Sequence, residues 1–448
     1  MRIFDFSRFK NKTINLSPPK ILALGFLSFI IFGTLMLKMP LATTHPISWM
    51  DAVFTATSAV TITGLAVVDT GSTYTTFGQI MILVMVQFGG LGFMTFAVLA
   101  AMSLSPRIGL KQQVRAQDAL GQTSLAKVSQ VAQSVVLYTL FFEIIGAMIL
   151  TSVWTPQVGF MPALYQAIFF SVSAFNNAGF SLFSDSLMQF KHQPVVLFTI
   201  STLSVIGAIG FLILIDIKQN KRWSKLQTNS KIILVSVALL NLIGFLLIWL
   251  LEIHNPATLG ALPFADQVTA AWFQATSPRS SGFNSIDTAQ LYPATSFIIM
   301  LLMFIGGGSL STGGGIKVGT FVVLVLSVLA FLRRSSEIRI FNHAISRELS
   351  MKALAVTFVT FALITVGNFI LLVLEPQQDF LDLSFEAVSA ACTVGLSRGI
   401  TGELSSASLM VLSFLMFAGR LGPLSLVYLI ATPKESRLKH PAADIQIG

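Results

Sequence analysis

The sequence predicts an all-α integral membrane protein of four repeats, each a helix, a half-length helix, a short strand with one glycine and a second helix. Three observations favour this class: an apolar composition, the alternation of long apolar stretches with shorter amphipathic ones, and a glycine segment that recurs four times. Of 448 residues, 54% are hydrophobic and only 10% are charged. Soluble chains carry about a quarter charged residues, so the composition indicates a bilayer environment.

Eight apolar stretches are interpreted as membrane spans, because about 20 helical residues cross a bilayer. The sixth begins at 293–306 and continues to 332. The eight stretches are 20–38, 77–102, 129–153, 195–215, 230–252, 293–332, 353–374 and 407–430. An even number of spans puts both termini on the same side of the membrane.

Shorter amphipathic stretches follow the odd-numbered spans, at 50–62, 162–176, 266–279 and 382–393. They are too short to cross a bilayer and are predicted to be re-entrant helices, which membranes tolerate where protein or water surrounds the backbone that follows. The repeated unit sets the predicted boundaries: a cytoplasmic N-terminus 1–19, repeat 1 at 20–105, repeat 2 with its preceding cytoplasmic loop at 106–218, repeat 3 at 219–332, repeat 4 at 333–431 and a cytoplasmic C-terminal tail 432–448.

Each amphipathic stretch ends in a segment with one glycine, and the four segments resemble one another: 58–65, 173–180, 276–283 and 389–396. A small hydroxyl residue stands six places before each glycine. Four such strands around one central pore would offer carbonyl oxygens in place of the hydration shell of a cation, and glycine lets the strands converge. The predicted selectivity filter, with potassium at its backbone carbonyls, is Thr61, Ile62, Thr63, Gly64, Asn176, Asn177, Ala178, Gly179, Arg279, Ser280, Ser281, Gly282, Cys392, Thr393, Val394 and Gly395.

Charge is distributed unevenly along the chain. Most of the 28 basic residues lie before the first span and after the second, fourth, sixth and eighth, which predicts that these parts and both termini are cytoplasmic. The net charge of +9 then reflects topology and contact with anionic lipids rather than nucleic acid. Acids gather on the opposite side and predict an acidic vestibule that concentrates cations: Asp51, Asp69, Asp185, Glu252, Asp266, Asp287, Glu375, Asp379, Asp382, Glu386 and Glu403.

A second glycine signal recurs in the even-numbered spans, at 88–93, 206–211, 305–308 and 418–423. Close helix packing accounts for it in the first two repeats. In the third repeat, six glycines in the ten residues 306–315 predict unwound backbone beneath the filter. Their spacing does not match that of a nucleotide-binding loop. The predicted gate is Gly306, Gly307, Gly308, Ser309, Ser311, Thr312, Gly313, Gly314, Gly315, Lys317 and Arg420.

Several buried polar residues have two interpretations. Arg420 is either a barrier in the cation pathway or a hydrogen-bond donor to carbonyls of the loop 306–315. Asn176 and Asn177 either line the vestibule or, as favoured here, adopt unusual backbone angles. Arg279 is predicted to point away from the pore towards an acid such as Asp287 or Glu386. Glu143 is expected to pair within the bundle, with a part in permeation left open.

The chain resembles the membrane subunit of the Ktr-type potassium uptake systems, in the Trk/Ktr/HKT superfamily. The resemblance extends to about residue 433 and is carried by 58–64, 277–284, the glycine loop and Arg420. It implies one pore per monomer, a homodimer, and a cytoplasmic ring of nucleotide-binding RCK regulatory subunits in a bacterial plasma (inner) membrane. Potassium is the implied substrate; sodium activation stays open, and nucleotide would act only through the partner.

Two other function classes are considered. A sodium- or proton-coupled potassium symporter would also show repeats and a broken helix, but its coupling site usually includes intramembrane carboxylates. The repeated feature in this chain is glycine and hydroxyl. An enzyme would need a metal or nucleophile cluster, and the five histidines and the single cysteine show no such spacing. One glycine per segment, unlike the Thr-Val-Gly-Tyr-Gly filter, predicts looser selectivity for potassium over sodium.

Overall fold

The computed structural model describes residues 18–92, 125–279, 281–309, 311–335 and 337–422. The expectations for both terminal segments, for the loop around 106–124, for Ser280 and for the last parts of the stretches 77–102 and 407–430 lie outside the described residues.

The described chain is mostly helical. Its first half contains α1 (Pro18–Leu37), α2 (Trp49–Val60), α3 (Thr70–Thr73), α4 (Thr76–Leu91), α5 (Leu125–Val158), α6 (Phe160–Phe175), α7 (Pro194–Ile209) and α8 (Phe211–Gln219). Its second half contains α9 (Thr228–Glu252), α10 (Phe264–Thr276), α11 (Pro293–Phe304), α12 (Val318–Leu332), α13 (Arg347–Leu374), α14 (Phe380–Ala391) and α15 (Ser406–Leu421). Between α12 and α13, strands β1 (Ile338–Ile340) and β2 (His343–Ile345) pair antiparallel, with Arg339 opposite Ala344.

Three described helices are long and apolar enough to cross a membrane: Gln133–Val158 within α5, α9 and α13. The pair α7 and α8 would make a fourth span, although it bends by 89°. In α13 only 17% of the apolar window is buried, so most of its surface is available to lipid. Six further apolar helices have 10–17 residues. The expectation of eight spans depends on five of these shorter helices, all except α6, and stays a prediction.

The short helices α2, α6, α10 and α14 lie where the half-length stretches are predicted. Helix α2 starts with a capping box, in which Asp51 N donates to Ser48 Oγ at 3.0 Å and Ser48 N donates to Asp51 Oδ2 at 2.9 Å. The second halves of these helices are almost wholly buried, since apolar and small residues face neighbouring helices on every side. Each short helix therefore ends inside the protein, where its last carbonyls need partners.

The second glycine signal has two structural roles. Cβ atoms added at Gly89, Gly207 and Gly419 would come within 2.0–2.2 Å of the carbonyl oxygens of the residues that end α2, α6 and α14. These glycines therefore allow close packing, as expected for Gly89 and Gly207 and beyond what was expected for Gly419. Three places later, Gly92, Gly210 and Gly422 have positive φ and end their helices, a second role that is not predicted from the sequence.

Candidate functional site

Four glycines form a closed ring where the short helices end. A Cβ at Gly64 would lie 2.4 Å from Ala178 O, one at Gly179 2.9 Å from the Cα of Gly282, one at Gly282 2.6 Å from Val394 O, and one at Gly395 2.0 Å from Thr63 O. Each glycine thus abuts the next in chain order, and the fourth abuts the first. All four have φ between +70° and +94°. Glycine is required here both for its backbone angle and for space.

The residue two places before each ring glycine is left-handed wherever the structure describes it. Ile62, Asn177 and Thr393 have φ of 52°, 57° and 47°. For the β-branched Ile62 and Thr393 this conformation is a genuine outlier, which persists only when the surroundings fix it and is typical of functional sites. We name the residues that end at each ring glycine segments 1 to 4: 61–64, 176–179, 279–282 and 392–395.

Backbone hydrogen bonds hold three of these turns in the same way. Thr63 N donates to Ser58 O at 2.8 Å, and the matching bonds from Ala178 N and Val394 N measure 2.8 and 2.9 Å. Segment 3 differs, since Ser281 N donates to Ser277 O at 2.9 Å, one residue closer along the chain. The ring is therefore only approximately fourfold.

The repeated hydroxyl makes a hydrogen bond to the backbone at or next to the ring glycine in three of the four segments. This role is not predicted from the sequence. Ser58 Oγ accepts from Gly64 N at 3.0 Å, and Ser389 Oγ accepts from Gly395 N at 3.1 Å. In segment 2, Ser173 Oγ instead donates to Phe180 O at 2.9 Å. In segment 3 the contact to Phe283 O comes from Ser277, one place later than the pattern, while Thr276 bonds back to its own helix. The spacing of six thus selects the contacting hydroxyl in three segments out of four.

We expect Ser58→Ala and Ser389→Ala each to lower the free energy of unfolding by about 1–3 kcal/mol, because each leaves the N–H of a ring glycine without its acceptor. Thermal unfolding in detergent measures the change. Ser413→Ala is the matched control, since Ser413 is buried and its hydroxyl has no partner among the described residues. Equal stability of Ser58→Ala and Ser413→Ala would contradict the assigned contact.

A cavity of about 470 Å³ opens on one side of the ring. All four glycines line it, together with residues that follow them in the chain, among them Asp69 and Asp287. The other predicted vestibule acids do not line this cavity, and several have separate structural roles. Asp51 caps α2, Glu375 accepts from Ser405 and Ser408, and Glu252 is buried against polar partners. Fewer acids line the cavity than the sequence predicts, and the two that do also accept backbone N–H bonds, from Ser72 N and Ala289 N.

The glycine-rich loop 306–315 lies against the opposite end of the segments, where residues that precede the ring glycines are found. Thr312 Oγ1 donates to Phe175 O at 3.3 Å and accepts from Asn177 Nδ2 at 2.7 Å. A Cβ at Gly314 would come within 2.1 Å of Cys392 O. The loop therefore contacts segments 2 and 4 directly. As predicted, it interrupts the apolar stretch between α11 and α12.

Two cations hold this loop. Arg420 Nη1, on α15, donates to Thr312 O at 3.0 Å, and Nη2 donates to Gly89 O on α4. Lys317 Nζ donates to Gly313 O at 2.6 Å. Of the two interpretations of Arg420, hydrogen bonding to loop carbonyls is observed. The guanidinium joins the loop to two helices from different parts of the chain.

Arg279 is buried, but its predicted acidic partner is wrong. Its Nη1 donates to Asn241 Oδ1 at 3.0 Å and to Val237 O at 3.3 Å on α9, and its Nη2 donates to Gly306 O at 3.0 Å. Neutral oxygens accept from both Nη atoms in place of Asp287 or Glu386, while Nε has no partner among the described residues. The side chain leaves the ring towards α9, as expected.

The two asparagines differ from each other. Asn177 has the unusual backbone angle that the sequence analysis favoured, whereas Asn176 has ordinary right-handed angles, so that interpretation is wrong for Asn176. Neither residue lines the cavity. Asn176 Nδ2 instead donates to Gln87 Oε1 at 2.7 Å and to Glu143 Oε1 at 3.0 Å. The side chains of Asn176 and Asn177 thus hold segment 2 in place through hydrogen bonds to neighbouring helices and to the loop 306–315.

Comparison with known proteins identifies the family to which the chain belongs. The profile of the TrkH family, described as "Cation transport protein", matches residues 21–439. The chain is 43% identical to the Ktr system potassium uptake protein B of Bacillus subtilis, with 98% of each chain covered, and 39% identical to the protein of the same name from Vibrio alginolyticus, covering 96% and 95%. The crystal structure of the potassium transporter TrkH from Vibrio parahaemolyticus matches with a TM-score of 0.76 at 20% identity, covering 94% of this chain and 86% of that one. The chain belongs to the TrkH family of cation transport proteins, as a Ktr-like membrane subunit of the Trk/Ktr superfamily.

Proposed function

We propose that the chain takes up potassium through a channel-like pore within one polypeptide, and that segments 1 to 4 are its selectivity filter. The closed ring of Gly64, Gly179, Gly282 and Gly395 carries this proposal, because it brings backbone carbonyls of four strands to one place. Potassium is proposed as the ion because both Ktr relatives are potassium uptake proteins. The proposed location is a bacterial plasma (inner) membrane, with multiple spans and both termini cytoplasmic.

The four-repeat, eight-span arrangement around one pore is part of the proposal. It is supported by the recurrence of a short helix, a ring glycine and a later apolar helix in four parts of the chain. The predicted repeat boundaries at 20–105, 106–218, 219–332 and 333–431 follow the same recurrence. The basic residues between repeats support cytoplasmic ends, so the cavity with Asp69 and Asp287 would face outside.

In this mechanism a cation enters the cavity, where two carboxylates raise its local concentration. It then reaches the C-terminal ends of α2, α6, α10 and α14, each equivalent to about half a negative charge, and exchanges water for carbonyl oxygens. A single row of ring glycines offers fewer stacked sites than a longer filter. Selectivity for potassium over sodium should accordingly be modest.

The loop 306–315, with Lys317 and Arg420, is the proposed gate. It lies directly against segments 2 and 4, so it would block the path below the ring until its hydrogen bonds to Asn177 and Arg420 are released. A nucleotide-binding RCK subunit on the cytoplasmic side would control this release, and a homodimer is the proposed assembly; the name "Ktr system" of the relatives supports a partnership. Membrane lipids are the other proposed partner. Nucleotide would act only through the regulatory subunit. Flux measured with and without sodium would test whether sodium is an activator.

Flux into liposomes that contain the purified protein tests the function. We expect rapid downhill uptake of rubidium, a potassium substitute, that persists without sodium or proton gradients. Protein-free liposomes are the control. Rubidium uptake that requires sodium or protons to move with it stoichiometrically would replace the channel with a symporter, and segments 1 to 4 would then be a binding site.

A further inference from the structure

One residue stands three places before each ring glycine, and we call these four the anchor residues: Thr61, Asn176, Arg279 and Cys392. All four are at least 96% buried, with exposed fractions of 0–4%. Their surroundings differ, because Thr61 bonds within its own segment and Arg279 carries a positive charge towards α9. Within the described part of the chain, Asn176 alone among the four bonds to a side-chain carboxyl group, that of Glu143.

Glu143 lies on α5 and is 6% exposed. Its Oε1 accepts from Asn176 Nδ2 at 3.0 Å, and its Oε2 accepts from Gln87 Nε2 at 3.3 Å. Gln87 Oε1 in turn accepts from Asn176 at 2.7 Å, which closes a triangle between α4, α5 and the end of α6. Both carboxyl oxygens act as acceptors. No ion pair to Glu143 is found among the residues that the structure describes.

This arrangement leaves little freedom for segment 2. Asn176 Nδ2 also lies 2.9 Å from Val172 O, so its two hydrogens are shared among three acceptors. A Cβ at Gly90 would lie 1.9 Å from Asn176 Oδ1, so the amide is enclosed on its second side too. The next residue, Asn177, has the left-handed backbone of the ring. The orientation of the Asn176 side chain thus fixes where the strained turn begins.

An acidic side chain inside a membrane protein is costly to bury and is for that reason a candidate functional residue. Glu143 is such a residue, and its side-chain hydrogen bonds lead to segment 2 through Asn176.

We propose that Glu143 determines the specificity of the filter, as a positioning residue that holds segment 2 through Asn176. This inference rests on the proposed function. It assigns the buried acid of α5 to ion selection, although the side chain itself does not line the cavity.

The test is the ratio of rubidium to sodium flux in liposomes. Glu143→Gln keeps the size of the side chain but replaces one of its two acceptor oxygens with an N–H donor facing the amide of Asn176 or Gln87, so the ratio should fall about tenfold, equivalent to about 1.4 kcal/mol. Glu143→Asp keeps both acceptor oxygens at shorter reach, so the ratio should fall about threefold, or about 0.7 kcal/mol. A ratio for Glu143→Asp equal to or below that of Glu143→Gln would overturn the role of the two acceptor oxygens.

Glu252→Gln is the matched control, because Glu252 is a fully buried carboxylate with polar partners, remote from the ring segments in its contacts. It should alter thermal stability and leave the flux ratio unchanged. An unchanged ratio in Glu143→Gln would overturn the inference. If Glu143→Gln does not reach the membrane, Gln87→Leu replaces it in the test. Gln87→Leu leaves Glu143 in place but removes the acceptor that Gln87 offers to Asn176, so the flux ratio should still fall. An unchanged flux ratio in Gln87→Leu would also overturn the inference. Absence of rubidium flux in the wild type would instead refute the proposed function.

Discussion

Replacing any one of the four ring glycines with aspartate is expected to abolish selective cation flux while the protein still reaches the membrane. A side chain at Gly64, Gly179, Gly282 or Gly395 needs a backbone conformation that L residues rarely adopt. It would also meet backbone atoms of the next segment at 2.0–2.9 Å, where no flexible side chain can move aside. The carbonyl cage must then open, and it no longer replaces the hydration shell of the ion.

Alanine replacements should give a graded series that follows the contact distances. Gly395→Ala should be the most severe, because its Cβ would lie 2.0 Å from Thr63 O, and Gly179→Ala the mildest, since its closest contact is 2.9 Å away. The ratio of rubidium to sodium flux measures the order. Gly402→Ala is the control, because Gly402 lines the same cavity and a Cβ there would lie 3.3 Å from its nearest neighbour. Wild-type selectivity in all four ring variants would refute the filter assignment.

The sequence was sufficient for features that depend on local pattern. The four short helices, the ring glycines and the break at 306–315 all follow from apolar periodicity and glycine spacing, because these fix helix length and backbone angle within a few residues. The repeated pattern fits the structure less well in the third segment. There the hydroxyl that contacts the backbone belongs to Ser277 and not to Thr276, because an additional short 3-10 turn, Ser277–Arg279, shifts the register.

Contacts between distant buried side chains were not predictable. Asn241 as the partner of Arg279, and Gln87 with Glu143 as partners of Asn176, join residues that are 33 to 89 positions apart. Nothing local distinguishes such an amide from any other polar residue on an apolar helix. The acids were overcounted for a related reason: a carboxylate near a helix start looks the same in sequence whether it only caps that helix or also lines a cavity, as Asp69 and Asp287 do.

The other large effect is expected at Arg420. Its guanidinium donates to the loop at Thr312 O and to α4 at Gly89 O, and hydrogen bonds from a charged group contribute about 1.5–3 kcal/mol each. Arg420→Ala removes both from the proposed closed state, so the open population and the rubidium flux of the subunit alone should rise at least about tenfold. Arg420→Lys keeps the charge but cannot span both carbonyls, and its flux should lie between that of the wild type and that of alanine.

Thr312→Val tests the same contact from the loop side. It keeps the size of the side chain and removes the hydroxyl that accepts from Asn177 and donates to Phe175 O. If the loop is the gate, this variant and Arg420→Ala must both increase flux. Arg420→Ala must also leave the rubidium to sodium ratio unchanged, because the hydrogen bonds of Arg420 go to Thr312 O and Gly89 O and not to segments 1 to 4. Ser413→Ala is the control, since Ser413 is buried on the same helix as Arg420 and its hydroxyl has no partner among the described residues. Flux at the wild-type level in both Arg420→Ala and Thr312→Val would show that the loop does not limit conduction, whereas a changed ion ratio in Arg420→Ala would mean that Arg420 belongs to the filter rather than to a gate beneath it.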